Sequence, residues 1–191
     1  ATITQPSILA VSTLKVDVLC SGSNTGSIDL SVSGGKSPYS YSWSNGIINQ
    51  QDLSNLPAGT YTVIVTDING CTKSISTTIT QPEPIVLTTT KVDVLCNGVS
   101  SGSIDLTVSG GVSPYTYLWN NGQPATQDLS GLAANTYNVI VTDFNGCTKS
   151  ISVTILQPTD LIVTNSKIDV KCFGASTGSI DISSNGGVSP Y

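Results

Sequence analysis

The strongest constraint on this chain is that its landmarks return every 76 residues. Cys71 and Cys147, Tyr61 and Tyr137, and Trp43 and Trp119 are each 76 residues apart, and so are Cys20, Cys96 and Cys172. Gln5-Pro6 returns as Gln81-Pro82 and Gln157-Pro158 with no insertion or deletion between copies. Solenoid units run to about 20–50 residues, so a longer unit is read as a domain in its own right. The repetition therefore predicts a tandem array. Residues 1–6 are the tail of a preceding repeat, 7–82 and 83–158 are complete repeats, and 159–191 is the truncated N-terminal part of a third. The chain reads as a segment cut from a longer, processed polypeptide.

Within a repeat the patterning is that of strands. Tyr61, Val63 and Val65 alternate with Thr62, Ile64 and Thr66, which is the period of two expected of a half-buried strand. Asn69-Gly70 is expected to supply a pair of positive-φ residues for a tight hairpin turn, with Gly146 in the same role one repeat on. In the second copy, the first strand spans Ile85 to Leu95. Its apolar phase slips, which predicts a bulge or a change of sheet near Thr88 to Lys91. Ile104, Leu106 and Val108 mark the second strand, and Tyr115, Tyr117 and Trp119 share one face of the third. A shorter strand follows over 126–132, and the hairpin closes the unit. Leu56-Pro-Ala-Gly-Thr-Tyr61 and Leu132-Ala-Ala-Asn-Thr-Tyr137 match a tyrosine corner, in which the Tyr hydroxyl bonds to upstream backbone. The exchange of Gly59 for Asn135 predicts a positive φ at that position. The fold class is all-β: tandem immunoglobulin-like β-sandwiches, with Trp43, Trp119, Tyr61, Tyr137, Gly70 and Gly146 as structural residues. Ile168, Val170, Ile180 and Ile182 in the third copy need a facing sheet, from the parent chain or a neighbouring molecule.

Composition removes several functions. Only 10% of residues are charged and none is His, so the commonest general base and transition-metal ligand are missing. Seven basic residues, scattered, make no nucleic-acid stripe. Asp67-x-Asn-Gly70 and Asp143-x-Asn-Gly146 offer too few oxygens for calcium and are read as turns. Asp29, Asp105 and Asp181 sit on an outward strand face. By residue type Tyr39, Tyr41 and Trp43 are candidates for a sugar-stacking platform, but their alternation with Ser40 and Ser42 points them at the core. Gly34-Gly35 is a turn and not a phosphate loop, and no Ser has a base beside it. No catalytic centre, metal or cofactor is expected.

The cysteines fall at two positions per repeat: Cys20, Cys96 and Cys172 at one, Cys71 and Cys147 at the other. An even count per unit without a metal-type CxxC spacing reads as disulfides in an oxidising, extracytoplasmic setting. Two pairings fit. One joins Cys20 to Cys71 and Cys96 to Cys147 within repeats. The other joins Cys20 to Cys147 across the repeat junction, because strand polarity puts the two positions at opposite poles of a sandwich.

Several strings together carry a family resemblance: Cys-Asn-Gly-Val-Ser-Ser-Gly-Ser-Ile over 96–104, Gly-Gly-Val-Ser-Pro-Tyr-Thr-Tyr-Leu-Trp over 110–119, Leu-x-x-Asn-Thr-Tyr-x-Val-x-Val-x-Asp-x-Asn-Gly-Cys over 132–147, and Gln157-Pro158. The chain resembles the SprB repeat of very large surface adhesins in gliding Bacteroidota. Asn135 and Ala133 depart from the usual Gly and the frequent Pro. The resemblance implies type IX secretion, display at the outer membrane and a part in gliding motility and surface attachment. It also implies a partner in the gliding and secretion machinery, through other regions of the protein. The repetition itself points to neighbouring repeats as partners, the uncharged Ser/Thr surface to lateral copies, and the binding-module alternative to surface polysaccharide. The sequence reading thus expects a stalk or filament segment. Its alternatives are weak glycan-binding modules acting by avidity, or a spacer in a secreted polysaccharide-degrading enzyme.

Overall fold

The computed structural model describes Ile3 and residues 5–191; of the expected tail over 1–6, residues 1, 2 and 4 lie outside the described residues. Among the described residues there are strands, turns and irregular segments and no helix. Two compact units are present. The first takes the described residues up to Ile85 together with Gly110–Tyr115 and Thr142–Cys147, and the second takes Val86–Ser109, Thr116–Val141 and Thr148–Tyr191.

In the first unit, six strands run in order: β1 (Ala10–Val16), β2 (Gly26–Ser33), β3 (Tyr39–Trp43), β4 (Leu53–Leu56), β5 (Gly59–Asp67) and β6 (Thr72–Ile79). They form two antiparallel three-stranded sheets, ordered β1-β2-β4 and β3-β5-β6. This is the immunoglobulin arrangement of strands A-B-E facing C-F-G, with no D strand and an apolar filling where antibody domains carry a B–F disulfide. Alternation sets the faces. Ile28 and Leu30 of β2 point inward, as do Tyr61, Val63 and Val65 of β5, and they meet Trp43, Leu53, Leu56 and Ile79 in one core. Tyr39 and Tyr41 pack on its edge, so the aromatic strand faces the core.

The second repeat supplies β7 (Val86–Val92), β8 (Gly102–Ser109), β9 (Thr116–Trp119), β10 (Leu129–Leu132), β11 (Asn135–Thr142) and β12 (Thr148–Ile155). Its sheets run β10-β8-β7 and β12-β11-β9, the same order as the first. Ile104, Leu106, Trp119, Val139, Val141 and Ile155 repeat the buried set. β13 (Ile162–Ile168) pairs with β14 (Ser179–Asn185) in the third copy. There Ile180 and Ile182 are 75% and 67% exposed, whereas the matching Ile104 and Leu106 are 1% and 0% exposed.

Three local expectations are corrected. The β7–β8 ladder runs without a register shift from Val86 to Val92, so no bulge lies at Thr88 to Lys91. The chain changes sheets later: Val94 N donates to Leu156 O at 2.9 Å, as Val18 N does to Thr80 O at 2.9 Å. The phase slip in the sequence is this handover, since Val92 faces solvent and Val94 is buried. Neither Gly59 nor Asn135 has a positive φ; both open strands. The left-handed position in this region is four residues earlier, where Asn55 (φ 56°) exchanges with Gly131 (φ 68°). Of Asn69-Gly70, only Gly70 has a positive φ (83°), as does Gly146 (82°). Gly70 N donates to Asp67 O and Asp67 N to Cys71 O, so the hairpin closes with a three-residue turn ending in a left-handed glycine.

Candidate functional site

The chemistry-bearing groups gather around the cysteines. Cys71 and Cys147 each end a hairpin turn whose shape is set by an aspartate on the inward face of the preceding strand. Asp67 is only 4% exposed, and Asp143 5%. Asp67 Oδ1 accepts from Asn69 N (3.0 Å) and Cys71 N (2.8 Å), and Oδ2 from Lys36 N (3.0 Å). Asp143 likewise accepts from Cys147 N (2.8 Å) and Val112 N (3.0 Å). Burial pushes the Asp67 carboxyl up, but the N–H groups of Cys71, Lys36 and Asn69 outweigh it and hold the group below the ordinary carboxylate value. These aspartates are therefore internal ties of the turn, filled by backbone donors.

Cys20 and Cys96 sit in the loop after the sheet change. Ser23 N donates to Cys20 O at 3.0 Å, and Gly22 N donates to Gln81 Oε1 at 2.8 Å. The second copy repeats the second contact, with Gly98 N donating to Gln157 Oε1 at 3.0 Å. This gives the recurring Gln-Pro a physical reason: the glutamine pins the cysteine loop to the end of the last strand of the repeat.

That pin decides the disulfide question. Cys20 is held at the Gln81 end of β6, while Cys71 immediately precedes its other end, Thr72. Eight extended residues separate the two ends, about 25 Å at the strand rise, and a disulfide needs Cα atoms within about 7 Å. Pairing within the repeat is therefore out of reach. The bond formed is Cys20–Cys147, with the Cα atoms 5.6 Å apart and a sequence separation of 127. Asn145 Nδ2 donates to Leu19 O at 2.9 Å beside it. Cys71, Cys96 and Cys172 are exposed free thiols.

The remaining predicted residues serve the fold. Tyr61 Oη donates to Pro57 O (2.9 Å) and Tyr137 Oη to Ala133 O (3.0 Å), the hydrogen bond of a tyrosine corner. Trp43 and Trp119 are buried, with Nε1 donating to Gln50 O and Thr126 O. Tyr41 Oη and Tyr117 Oη donate to Gln51 and Gln127 Oε1, which ties both rings to the sheet opposite: Gln51 Nε2 reaches Leu30 O and Gln127 Nε2 reaches Leu106 O.

One motif escaped the sequence reading. Lys15 Nζ meets Asp17 Oδ1 at 2.8 Å and Thr78 O at 2.7 Å, while Asp17 Oδ1 accepts from Thr80 N at 2.7 Å. Lys91 and Asp93 repeat the clasp onto Thr154 O and Leu156 N. These pairs fasten the first strand of each repeat to the last where the chain changes sheets. Contact with Lys15, then Thr80 N, lowers the Asp17 carboxyl; Leu156 N, then Lys91, lowers that of Asp93. The signal was present as Lys-x-Asp at 15–17, 91–93 and 167–169 in a chain with few charges.

Among solved structures, the chain is similar to one titled "Structure of surface layer protein SbsC, domains 1-6", at 14% identity and a TM-score of 0.30. The alignment covers 95% of this chain and 37% of that one. No curated protein matches the sequence. The family model described as "SprB repeat" matches residues 12–46, 88–124 and 164–191, more than half of the chain, with starts that repeat the internal period. With that match, the chain belongs to the SprB repeat family and is an adhesin-type surface repeat region.

Proposed function

We propose that this chain is a stalk or filament segment of a large secreted cell-surface adhesin, carrying load between the cell and a distant binding region and so supporting attachment and gliding. On this reading it is exported by type IX secretion, faces the outside of the cell attached to the outer membrane, and catalyses nothing. Its partners are neighbouring repeats, other copies alongside and, through other regions of the protein, the gliding machinery.

The observation that carries this reading is the Cys20–Cys147 bond. A covalent link from one repeat to the next serves a body under tension, and it requires the oxidising setting of an exported protein. The family match supports the surface assignment. The glycan-module alternative draws nothing from the tyrosines, because Tyr39 and Tyr41 pack on the core of the first repeat.

The test is in cells displaying the whole adhesin. In-frame removal of complete repeats should lower attachment in step with the number removed, and external protease should release the repeats from intact cells. Substituting exposed residues without unfolding should leave attachment unchanged. A purified chain that binds a defined polysaccharide, and loses binding through one exposed residue, would overturn the proposal.

A further inference from the structure

A cleft of about 340 Å³ opens beside the free thiol of Cys96, lined by Leu95, Cys96, Pro158, Leu161, Gly187 and Val188 among others. Moving each residue back by one repeat gives Leu19, Cys20, Pro82, Ile85, Gly111 and Val112. At those earlier positions the structure shows an occupant. Asp143 accepts from Val112 N at 3.0 Å, Phe144 N donates to Val112 O at 2.8 Å, Asn145 Nδ2 donates to Leu19 O at 2.9 Å, and Cys147 bonds Cys20. The seat at Cys20 is filled by the hairpin turn Asp143–Cys147. The corresponding seat at Cys96 is the cleft.

We propose that the Cys96 cleft is a receptor for an Asp-x-Asn-Gly-Cys hairpin turn of another repeat of this kind, which docks and then bonds covalently to Cys96. The matching ligand is present elsewhere in the chain: the turn over Asp67–Cys71 has the same sequence pattern, a glycine with nearly the same positive φ, the same hydrogen bond at 2.8 Å from the cysteine N–H to the aspartate carboxylate, and an exposed free thiol. The receptor loop is likewise already formed, since Gly98 N is held by Gln157 Oε1. Three contacts are assigned by position. Val188 N donates to the incoming carboxylate, Val188 O accepts from the N–H of the residue after it, and Leu95 O accepts from the incoming asparagine. Bond formation joins the Cys96 sulfur to the incoming cysteine sulfur; two protons and two electrons leave. A disulfide oxidant such as oxidised glutathione takes up both and becomes two thiols, by thiolate attack through a mixed disulfide. Each repeat then uses its two cysteines in two different junctions.

The turn is assigned to the repeat that follows in the same polypeptide, the relation that Cys147 bears to Cys20, and a separate copy is the competing source. To test this, the 191-residue chain is extended after Tyr191 by a second copy of residues 116–158, which supplies strands matching β9–β12 and a Cys147 equivalent. Refolded in a glutathione redox buffer and mapped without reduction, it should yield a peptide joining Cys96 to the added cysteine. Cys20–Cys147 should be retained, and Cys71 and Cys172 should be alkylated. To test the competing source, the unextended chain is oxidised at high concentration. A monomer, with the extended chain bonded at Cys96, supports the same-polypeptide assignment; a dimer bridged Cys71 to Cys96, with the added cysteine left free in the extended chain, overturns it. Cys96→Ser in the extended chain separates docking from bonding: hydrogen exchange at Val188 N should remain slowed at least tenfold relative to the unextended chain. Cys96 left fully alkylatable in both chains, or a Cys96–Cys96 bond, overturns the proposal; so does unprotected Val188 in the serine variant.

Discussion

Single residues decide more here than composition does. The aspartate that ends β5, and its counterpart just after β11, is buried, where a carboxylate is expensive, and is tolerated because backbone N–H groups fill its lone pairs. The same carboxylate fixes the turn that presents Cys71 or Cys147. With the turn intact but its thiol removed, Cys147→Ser should leave Cys20 alkylatable and form no Cys20–Cys71 bond, which peptide mapping without reduction reads directly. A Cys20–Cys71 peptide in that variant would show that β6 does not hold the two apart. Loss of the bond should cost about 2–4 kcal/mol in denaturant unfolding, compared with the unsubstituted oxidised chain. A second position tests backbone geometry alone. Gly131 has φ 68° and open space where a Cβ would be. Gly131→Asn should therefore be nearly neutral, as Asn55 already shows at the matching site. Gly131→Val should cost about 1–2 kcal/mol, measured as a shift in the urea midpoint.

At the scale of elements, the sheet change after β1 and β7 joins the two layers, and the Lys-x-Asp clasp sits on it. Asp17 and Asp93 have folded pKa values below their ordinary ones, so their contribution is complete above the unfolded value of about 4 and is lost as the pH falls through the lowered folded value. Urea midpoints should therefore hold steady from pH 7 to about 5 and fall below about pH 4. The double variant Asp17→Asn, Asp93→Asn should flatten that acid limb and lower the neutral plateau. An unchanged acid limb would mean that other carboxylates, Asp67 among them, carry the acid sensitivity. Much of this level could be read from sequence. Strands, the inward Trp and the tyrosine corner follow from alternation and local spacing. What failed was the exact residue of a local event. The bulge expected at Thr88 to Lys91 and the positive φ expected at Gly59 and Asn135 were displaced by a few residues, because apolar phase and Gly/Asn exchange mark a neighbourhood and the hydrogen bonds choose the position within it. The clasp was overlooked because an i, i+2 charge pair reads as surface decoration until the strand beside it is known.

For the whole molecule, the exact period made the architecture legible and left the cysteine connectivity open. Sequence placed the two cysteine positions at opposite ends of a sandwich, yet which sulfur each one meets depends on Gln81 and Gln157 pinning loops to strand ends, and no local pattern states that. The Cys20–Cys147 bond also has a mechanical consequence. It short-circuits 127 residues, so pulling on the two termini of the oxidised chain transmits tension past every strand from β2 to β11. The strands inside the bridge can melt without lengthening the tether between Cys20 and Cys147. Adding a reductant in an optical-trap experiment should free up to about 420–460 Å of extra tether, taking about 3.3–3.6 Å per extended residue. For a surface fibre, the thiol redox state would then govern how far the fibre can stretch.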